Sequence, residues 1–270
     1  MKNRLDRQQF LGAKSDQVLA ATRIGIAGLG GGGSHIVQQG AHVGIGTFCI
    51  FDPDHVEDTN LNRLVGATER DVDEKTPKVL IAKRVIQSVN ARASVIPIQD
   101  RWQADDVLLR SCGVVFGCVD RFDEREELEE YCRRFLIPYI DIGMDVHALG
   151  DQFAVSGQVI LSLPGGPCMK CMGFFEGDND EKPAYLDAGG RPQVIWPNGV
   201  LASTALGLLM QLLTPWSKQP ITPYLEYDGN SHQIQRSKQL DFIEGTCSHF
   251  PEDAVGDPFW TLRSAYSSKG

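Results

Sequence analysis

The sequence predicts an α/β protein: a Rossmann-like, doubly wound, mainly parallel sheet with an antiparallel C-terminal extension and a long crossover loop. Three observations predict it. Through the first 150 residues short apolar runs alternate with amphipathic stretches of helical period, the order of a parallel sheet with helices on both faces. RIGIAGLGGGGSHI, from Arg23 to Ile36, runs a strand into a glycine loop and then into a helix. After about residue 150 that rhythm gives way to weakly alternating strands and an irregular Gly-, Pro- and Asp-rich segment from Pro164 to Pro197.

The elements follow in order. Arg23 to Gly28 reads as a strand, and Gly33 to Val43 as a helix with Ser34 near its start. GTFCIFDPD, Gly46 to Asp54, is a second strand ending in acidic turn residues. Thr76-Pro77 predicts a helix start, with Thr76 as the cap and Pro77 at the first helical position, where no N–H is needed. That helix runs to about Val89, with Val79, Ala82, Val85, Ile86 and Val89 on one face. ASVIPIQD is a third strand, and GVVFGCVD, Gly113 to Asp120, is apolar enough to be buried on both faces. Glu124 to Phe135 is a charged helix, followed by the strand PYIDIGM. Ala154 to Leu163 alternates like an antiparallel strand, Gly199 to Leu213 is a helix of small residues, and TPYLEYD and HQIQRSKQL read as strands. The expectation is one domain over 1–270, in two halves, 1–150 and 151–270, that differ in rhythm.

Composition narrows the functional classes. The net charge of −9 argues against nucleic acid or a membrane surface as partner, because phosphate contacts need clustered Lys and Arg. MKNRLDRQQF has no apolar core and does not read as a signal peptide, and the run Val200 to Leu213 is too short and too polar to span a bilayer. Seven cysteines spread over the chain do not make a secreted disulfide framework. These features predict a cytoplasmic protein. Cys49, Cys112, Cys118 and Cys132 lie in or beside apolar segments and are expected in the core. His35, His42, His55 and His147 have no companion pattern.

Gly28, Gly30 and Gly33 fit G-x-G-x-x-G, the loop that lets phosphates sit against a helix N-terminus. Asp52 follows about twenty residues on, where an acid holds a ribose hydroxyl. Those features alone suit NAD and ATP equally. The next stretch, DPDHVEDTNLNRLVG, adds Asn60, Asn62 and Arg63, and Lys78 opens the following helix. Dinucleotide pyrophosphate is held mainly by backbone N–H groups, whereas cleaving ATP needs cations where charge develops on the leaving group. Asp120, at the carboxyl end of the fourth strand, suits a magnesium ligand facing a triphosphate. Arg125 is expected to pair with a nearby acid.

The order RxxRQ, GxGGxG, DxDxVxxxNxxR, PKV, CxDxxxxR, CxxC resembles the ThiF/MoeB/HesA family of ubiquitin-activating-type adenylating enzymes, from about Arg4 to Leu213. The resemblance implies an adenylyltransferase that uses ATP and magnesium to activate the C-terminal glycine carboxylate of a small ubiquitin-like or sulfur-carrier protein, releasing pyrophosphate. It further implies that Gly28, Gly30 and Gly33 form the phosphate loop, that Asp52 holds the ribose, with Asp54 beside it, and that Asn60, Arg63 and Lys78 contact phosphates. Asp120 would ligate magnesium, and Arg7 would reach the partner's ATP across a homodimer.

The family pattern breaks in three places. Relatives complete a structural zinc site with a second C-x-x-C, whereas here Cys168 and Cys171 of PCMKC are matched by Cys247 and His249 of EGTCSHFPED. Three cysteines and a histidine make a sound zinc site; the alternative is that they are free. No cysteine lies between Met172 and Gly199, so adenylation is expected without a thioester on the crossover loop, leaving a sulfurtransferase or conjugating partner to take the activated carboxylate. Leu64 stands where many relatives have Gln, and the chain reads as a minimal, stand-alone module. Two competing readings are ATP-dependent activation of another carboxylate, on a peptide or on the carbamoyl-threonine of a tRNA as in related dehydratases, and, less favoured by Arg63 and Lys78, a nicotinamide oxidoreductase.

Overall fold

A computed structural model describes residues 4–175, 192–250 and 256. Its centre is an eight-stranded sheet in the order β3-β2-β1-β4-β5-β6-β7-β8. The strands are β1 (Arg23–Ala27), β2 (Thr47–Phe51), β3 (Ser94–Ile98), β4 (Val114–Gly117), β5 (Tyr139–Leu149), β6 (Gln152–Ser162), β7 (Tyr224–Asp228) and β8 (Gln233–Arg236). β3, β2, β1, β4 and β5 are parallel, and β5 to β8 are antiparallel. The mainly parallel sheet with an antiparallel C-terminal part is as expected. The change of direction is local: β5 turns at Gly150, whose φ of +63° favours glycine, straight back into β6.

The helices are α1 (Ser15–Ala21), α2 (Gly31–Val43), α3 (Glu69–Asp73), α4 (Lys78–Val89), α5 (Asp106–Arg110), α6 (Phe122–Arg134) and α7 (Ile195–Leu213). Alternation along the strands feeds two cores. Ile24, Ile26, Phe48, Ile50 and Phe116 pack under α2, α4 and α7. The other face, with Cys49, Phe51, Val115 and Tyr139, packs under α5 and α6. β1 therefore hands the chain to one face and β4 hands it to the other, which opens a crevice above their carboxyl ends.

Several local expectations are corrected. α2 begins at Gly31 rather than Gly33, and α7 begins at Ile195 rather than Gly199. Thr76 does not cap α4: the N-cap is Pro77, with no side-chain cap bond. The backbone does that work instead. His55 bridges Pro77, Val56 N–H donates to the Thr76 carbonyl, and Lys78 N–H donates to the Asp54 carbonyl at 3.0 Å. The start of α4 is thus laid against the segment leaving β2. The short helices α1, α3 and α5 were not legible, since five to seven residues carry too little periodicity.

The loop between β2 and α4 is held from both ends. Ser34 on α2 accepts from Val65 N–H at 3.1 Å. Thr68 and Asp71 form a capping box at the start of α3, and Arg84 on α4 donates two bonds of 2.7 Å to the buried Asp71 carboxylate and one to the Gly66 carbonyl. The Arg84 guanidinium and Thr68 hold the Asp71 carboxyl well below the ordinary carboxylate range. A depressed folded pKa contributes stability that is present above the unfolded value, near 3.9, and is lost as pH falls below it. Asp71→Asn is expected to cost about 1–2 kcal/mol at pH 7, with the difference in melting temperature closing as pH falls below 4.

Candidate functional site

A cavity of about 770 Å³ occupies the crevice between the ends of β1 and β4. The three glycines of the loop at its floor serve three purposes. Gly28 has φ +88°, and a Cβ there would meet the Cys118 carbonyl at 2.5 Å. A Cβ on Gly33 would lie 2.0 Å from the Gly28 carbonyl, so Gly33 lets α2 close onto the loop and does not itself line the cavity. Gly30, by contrast, has nothing within 4 Å of a Cβ position: its missing side chain leaves room for a ligand. α2 starts directly after it, with its first N–H groups and positive dipole end toward the cavity.

Asp52, at the end of β2, is 4% exposed and fixes this loop. One carboxylate oxygen accepts from Leu29 N–H at 2.7 Å and the other from Asp54 N–H at 2.9 Å. Burial pushes its pKa up, opposed by Lys78 and by those two N–H groups. Lys78 Nζ lies 2.7 Å from Asp54 and 3.8 Å from Asp52. Lys78 and both acids therefore form one constellation on the cavity wall, as the backbone pairing before α4 requires.

The remaining expected residues lie on other walls. Asn60 is buried in a capping arrangement, its Oδ1 accepting from Glu57 N–H at 3.1 Å. Arg63 donates to the Thr59 carbonyl at 2.5 Å and to Asn62 Oδ1 at 3.0 Å. Asn62 in turn donates to the Gln193 carbonyl, tying the loop to the segment before α7. Asp120 is exposed on the cavity wall just beyond β4. Arg125 makes the expected pair, a buried ion pair with Asp141, and it also borders the cavity. Arg7 is not brought to this cavity. It is exposed in a 3₁₀ turn whose neighbours Arg4 and Gln8 bond the Val89 and Val43 carbonyls. Those carbonyls end α4 and α2, at the opposite end of α2 from the glycine loop, and Arg7 is not among the residues that line the cavity.

Among the cavity residues that the sequence did not mark, four bear on its chemistry. Arg101 and Arg121 add cations, and Asp145 on β5 adds an acid at the far wall. The fourth is Cys118, which packs against the core as expected and also borders the cavity with its partly exposed edge. It follows β4 immediately, where the strand ends and the crevice begins. No local signal marks these positions, because the order of strands in the sheet decides which loops share the crevice.

On the side of the sheet packed by α6, the turn after β6 places Cys168 and Cys171 beside Cys247 and His249. All four ligand atoms lie within 4.8 Å of one another. Cys168 Sγ is 3.6 Å from Cys171 Sγ and 3.5 Å from His249 Nδ1, and Cys171 Sγ is 3.3 Å from the same nitrogen. Tetrahedral zinc, with bonds of about 2.3 Å to sulfur and 2.0 Å to nitrogen, needs ligand edges of roughly 3.5–3.8 Å. The donor set fits that ion. It is the one such cluster among the described residues.

Comparison with known proteins decides the family. Residues 3–244 match the ThiF family. The chain belongs to the ThiF family. Among its relatives, the SAMP-activating enzyme E1 of Haloferax volcanii is 30% identical over 164 residues, covering 60% of this chain and 57% of that protein. The sulfur carrier protein ThiS adenylyltransferase of Bacillus subtilis is 28% identical over 64% of this chain and 51% of its own length. The chain thus spans little more than half the length of these two relatives. It covers more of the molybdopterin-synthase adenylyltransferase of Salmonella typhimurium, at 24% identity over 84% of this chain and 87% of the relative. In structure it resembles E. coli MccB solved with ATP, with a TM-score of 0.72 and 23% identity over 88% of this chain and 71% of MccB. That likeness shows the fold, a ThiF-type Rossmann-like sheet.

The glycine assignments separate two effects. Gly33→Ala, whose Cβ meets backbone, is expected to cost more than about 2 kcal/mol or to prevent folding. Gly30→Ala is expected to melt near wild type but to bind ATP at least about tenfold more weakly, a difference of about 1.4 kcal/mol. Thermal melting and ATP titration of the two variants check this, and equal effects on both readouts would contradict it.

Proposed function

We propose that this ThiF-family chain is an ATP-dependent adenylyltransferase that activates the C-terminal glycine carboxylate of a small ubiquitin-like or sulfur-carrier protein. The observation that carries the reading is the Lys78–Asp52–Asp54 constellation beside a glycine loop whose open position is Gly30. The adenosine ribose hydroxyls bind at Asp52, and the phosphates lie over Gly28, Gly30 and the start of α2. Asn60, Arg63 and Lys78 face the β- and γ-phosphates, and Lys78 exchanges its bond to Asp54 for one to a phosphate oxygen. The substrate carboxylate oxygen attacks the α-phosphorus, the bond to the β-phosphate oxygen breaks, and pyrophosphate leaves with the charge that Arg63 and Lys78 stabilise. No general base is needed, since a carboxylate is already ionised at neutral pH. Asp120 would hold a magnesium ion, a hard cation that suits a carboxylate oxygen. The ion would neutralise charge on the departing phosphates.

Arg7 acts in this reading only in a partner's cavity, so the active form is a homodimer. The half at 1–150 holds the nucleotide, and the half at 151–270 receives the carrier protein and carries zinc at Cys168, Cys171, Cys247 and His249. The activated carboxylate passes to a sulfurtransferase or conjugating partner without a thioester on the crossover loop, of which 176–191 lie outside the described residues. The protein works in the cytoplasm; among the described residues no helix is long and apolar enough to cross a membrane. A peptide carboxylate is the second reading, favoured by the fold shared with MccB, which has been solved with MccA.

Exchange of labelled pyrophosphate into ATP tests the proposal. Exchange is expected only when a small protein ending in Gly-Gly is added, with no reducible adduct formed on this chain. Exchange without any protein substrate, or NAD binding more tightly than ATP, would contradict it.

A further inference from the structure

Helix α6 presents three charged side chains on one buried face, at intervals of four residues: Arg125, Glu129 and Arg133. Such residues are rarely fully buried unless they are paired. Arg125 is accounted for by Asp141 at the cavity. Glu129 and Arg133, each 1% exposed, belong to no part of the nucleotide site. The side-chain bonds they make, among the described residues, lead to the arms of the cysteine–histidine cluster.

Glu129 Oε1 accepts from Met169 N–H at 2.8 Å, inside the loop that links Cys168 to Cys171. Arg133 donates to Ser162 Oγ and the Leu163 carbonyl, both at 3.0 Å, and to the Gly166 carbonyl at 2.8 Å. These are the residues on which the chain leaves β6 and turns toward Cys168. The other arm is reached as well: the Arg133 guanidinium carbon lies 4.8 Å from the centre of the Phe250 ring, and Phe250 follows His249 directly. One face of one rigid helix therefore touches both sequence-distant halves of the cluster. Met169 and Met172 are fully buried against the same core and hold the first arm from the apolar side.

We infer that Glu129 and Arg133 are positioning residues of the metal site, holding its two arms in ligating geometry from behind. The inference rests on the reading of Cys168, Cys171, Cys247 and His249 as metal ligands. The helix supplies the order that the ion would otherwise have to impose. In an exposed tail such as 244–250, that ordering would be drawn from the binding free energy. Partners behind the ligands of metal sites commonly change metal affinity by about 10–100-fold when removed.

The test uses the purified full chain, stripped of metal with a chelator and reloaded with Co(II), whose thiolate-to-metal absorption band reports cysteine ligation. Competition against a chromophoric chelator gives the affinity. Wild type is expected to take up one Co(II) per chain. Glu129→Leu, which leaves Met169 N–H without an acceptor, is expected to bind about 10–100-fold more weakly. Glu129→Gln keeps an acceptor oxygen there and is expected to stay within a few-fold of wild type. Phe250→Ala removes only the ring over Arg133 and gives a readable variant if Glu129→Leu does not fold; its affinity is expected to fall several-fold.

Melting with and without metal separates positioning from general stability. A positioning role shrinks the stabilisation that metal confers, whereas a purely structural role lowers both melting points equally. The inference is overturned if the variants bind Co(II) as tightly as wild type, or if the metal-dependent rise in melting temperature is unchanged. A wild-type chain that takes up no Co(II) would instead overturn the metal reading on which it stands.

Discussion

Lys78 sits between two carboxylates, 2.7 Å from Asp54 and 3.8 Å from Asp52, and the rest of the site is arranged around that contact. It joins the end of β2 to the first residue of α4. The same Asp52 that it approaches accepts from the glycine loop at Leu29 and so fixes the entry to α2. Three elements that follow three different strands or loops are thereby tied at one point beside the cavity. One ammonium is shared by two acids, one of them exposed, and the proposed function has a phosphate take the place of the exposed one.

The sheet order explains why this point lies where it does. β1 and β4 are neighbours that send their helices to opposite faces, so the crevice between them collects the loops after β1, β2 and β4. The wall after β4 continues directly into α6. That helix starts beside the cavity with Arg125 and ends beside the cysteine–histidine cluster with Arg133. The two sites share a rigid element, and the buried charges on its inner face divide between them.

Much of this was legible in the sequence, for reasons that differ by residue. Gly28, Gly30 and Gly33 were legible because their spacing is a local property of a strand–turn–helix unit, although the structure alone separates Gly33, which is packed, from Gly30, which is open. Asp52 and Lys78 were legible because each marks the end or start of a strongly patterned element. Cys168, Cys171, Cys247 and His249 were legible by residue type despite a separation of some eighty positions, since few other roles suit that donor set. Arg101, Arg121, Asp145 and Cys118 were not, because only tertiary placement brings them to the crevice. The failed Thr76 cap has the same origin: a strand-like bridge at His55 and Pro77 satisfies the backbone that a side chain would otherwise have capped. Nothing in the sequence separates Glu129 and Arg133 from the other charges of α6; only the fold places them inside.

In the proposed reaction Lys78 serves the phosphates rather than the nucleoside. Calorimetric titration of wild type and Lys78→Met with AMP, ADP and ATP tests this most directly. The predicted result is a loss of affinity that grows with each added phosphate, small for AMP and about 2–3 kcal/mol for ATP, as for a hydrogen-bonded charge pair. An equal loss for all three nucleotides, or no loss for ATP, would contradict it.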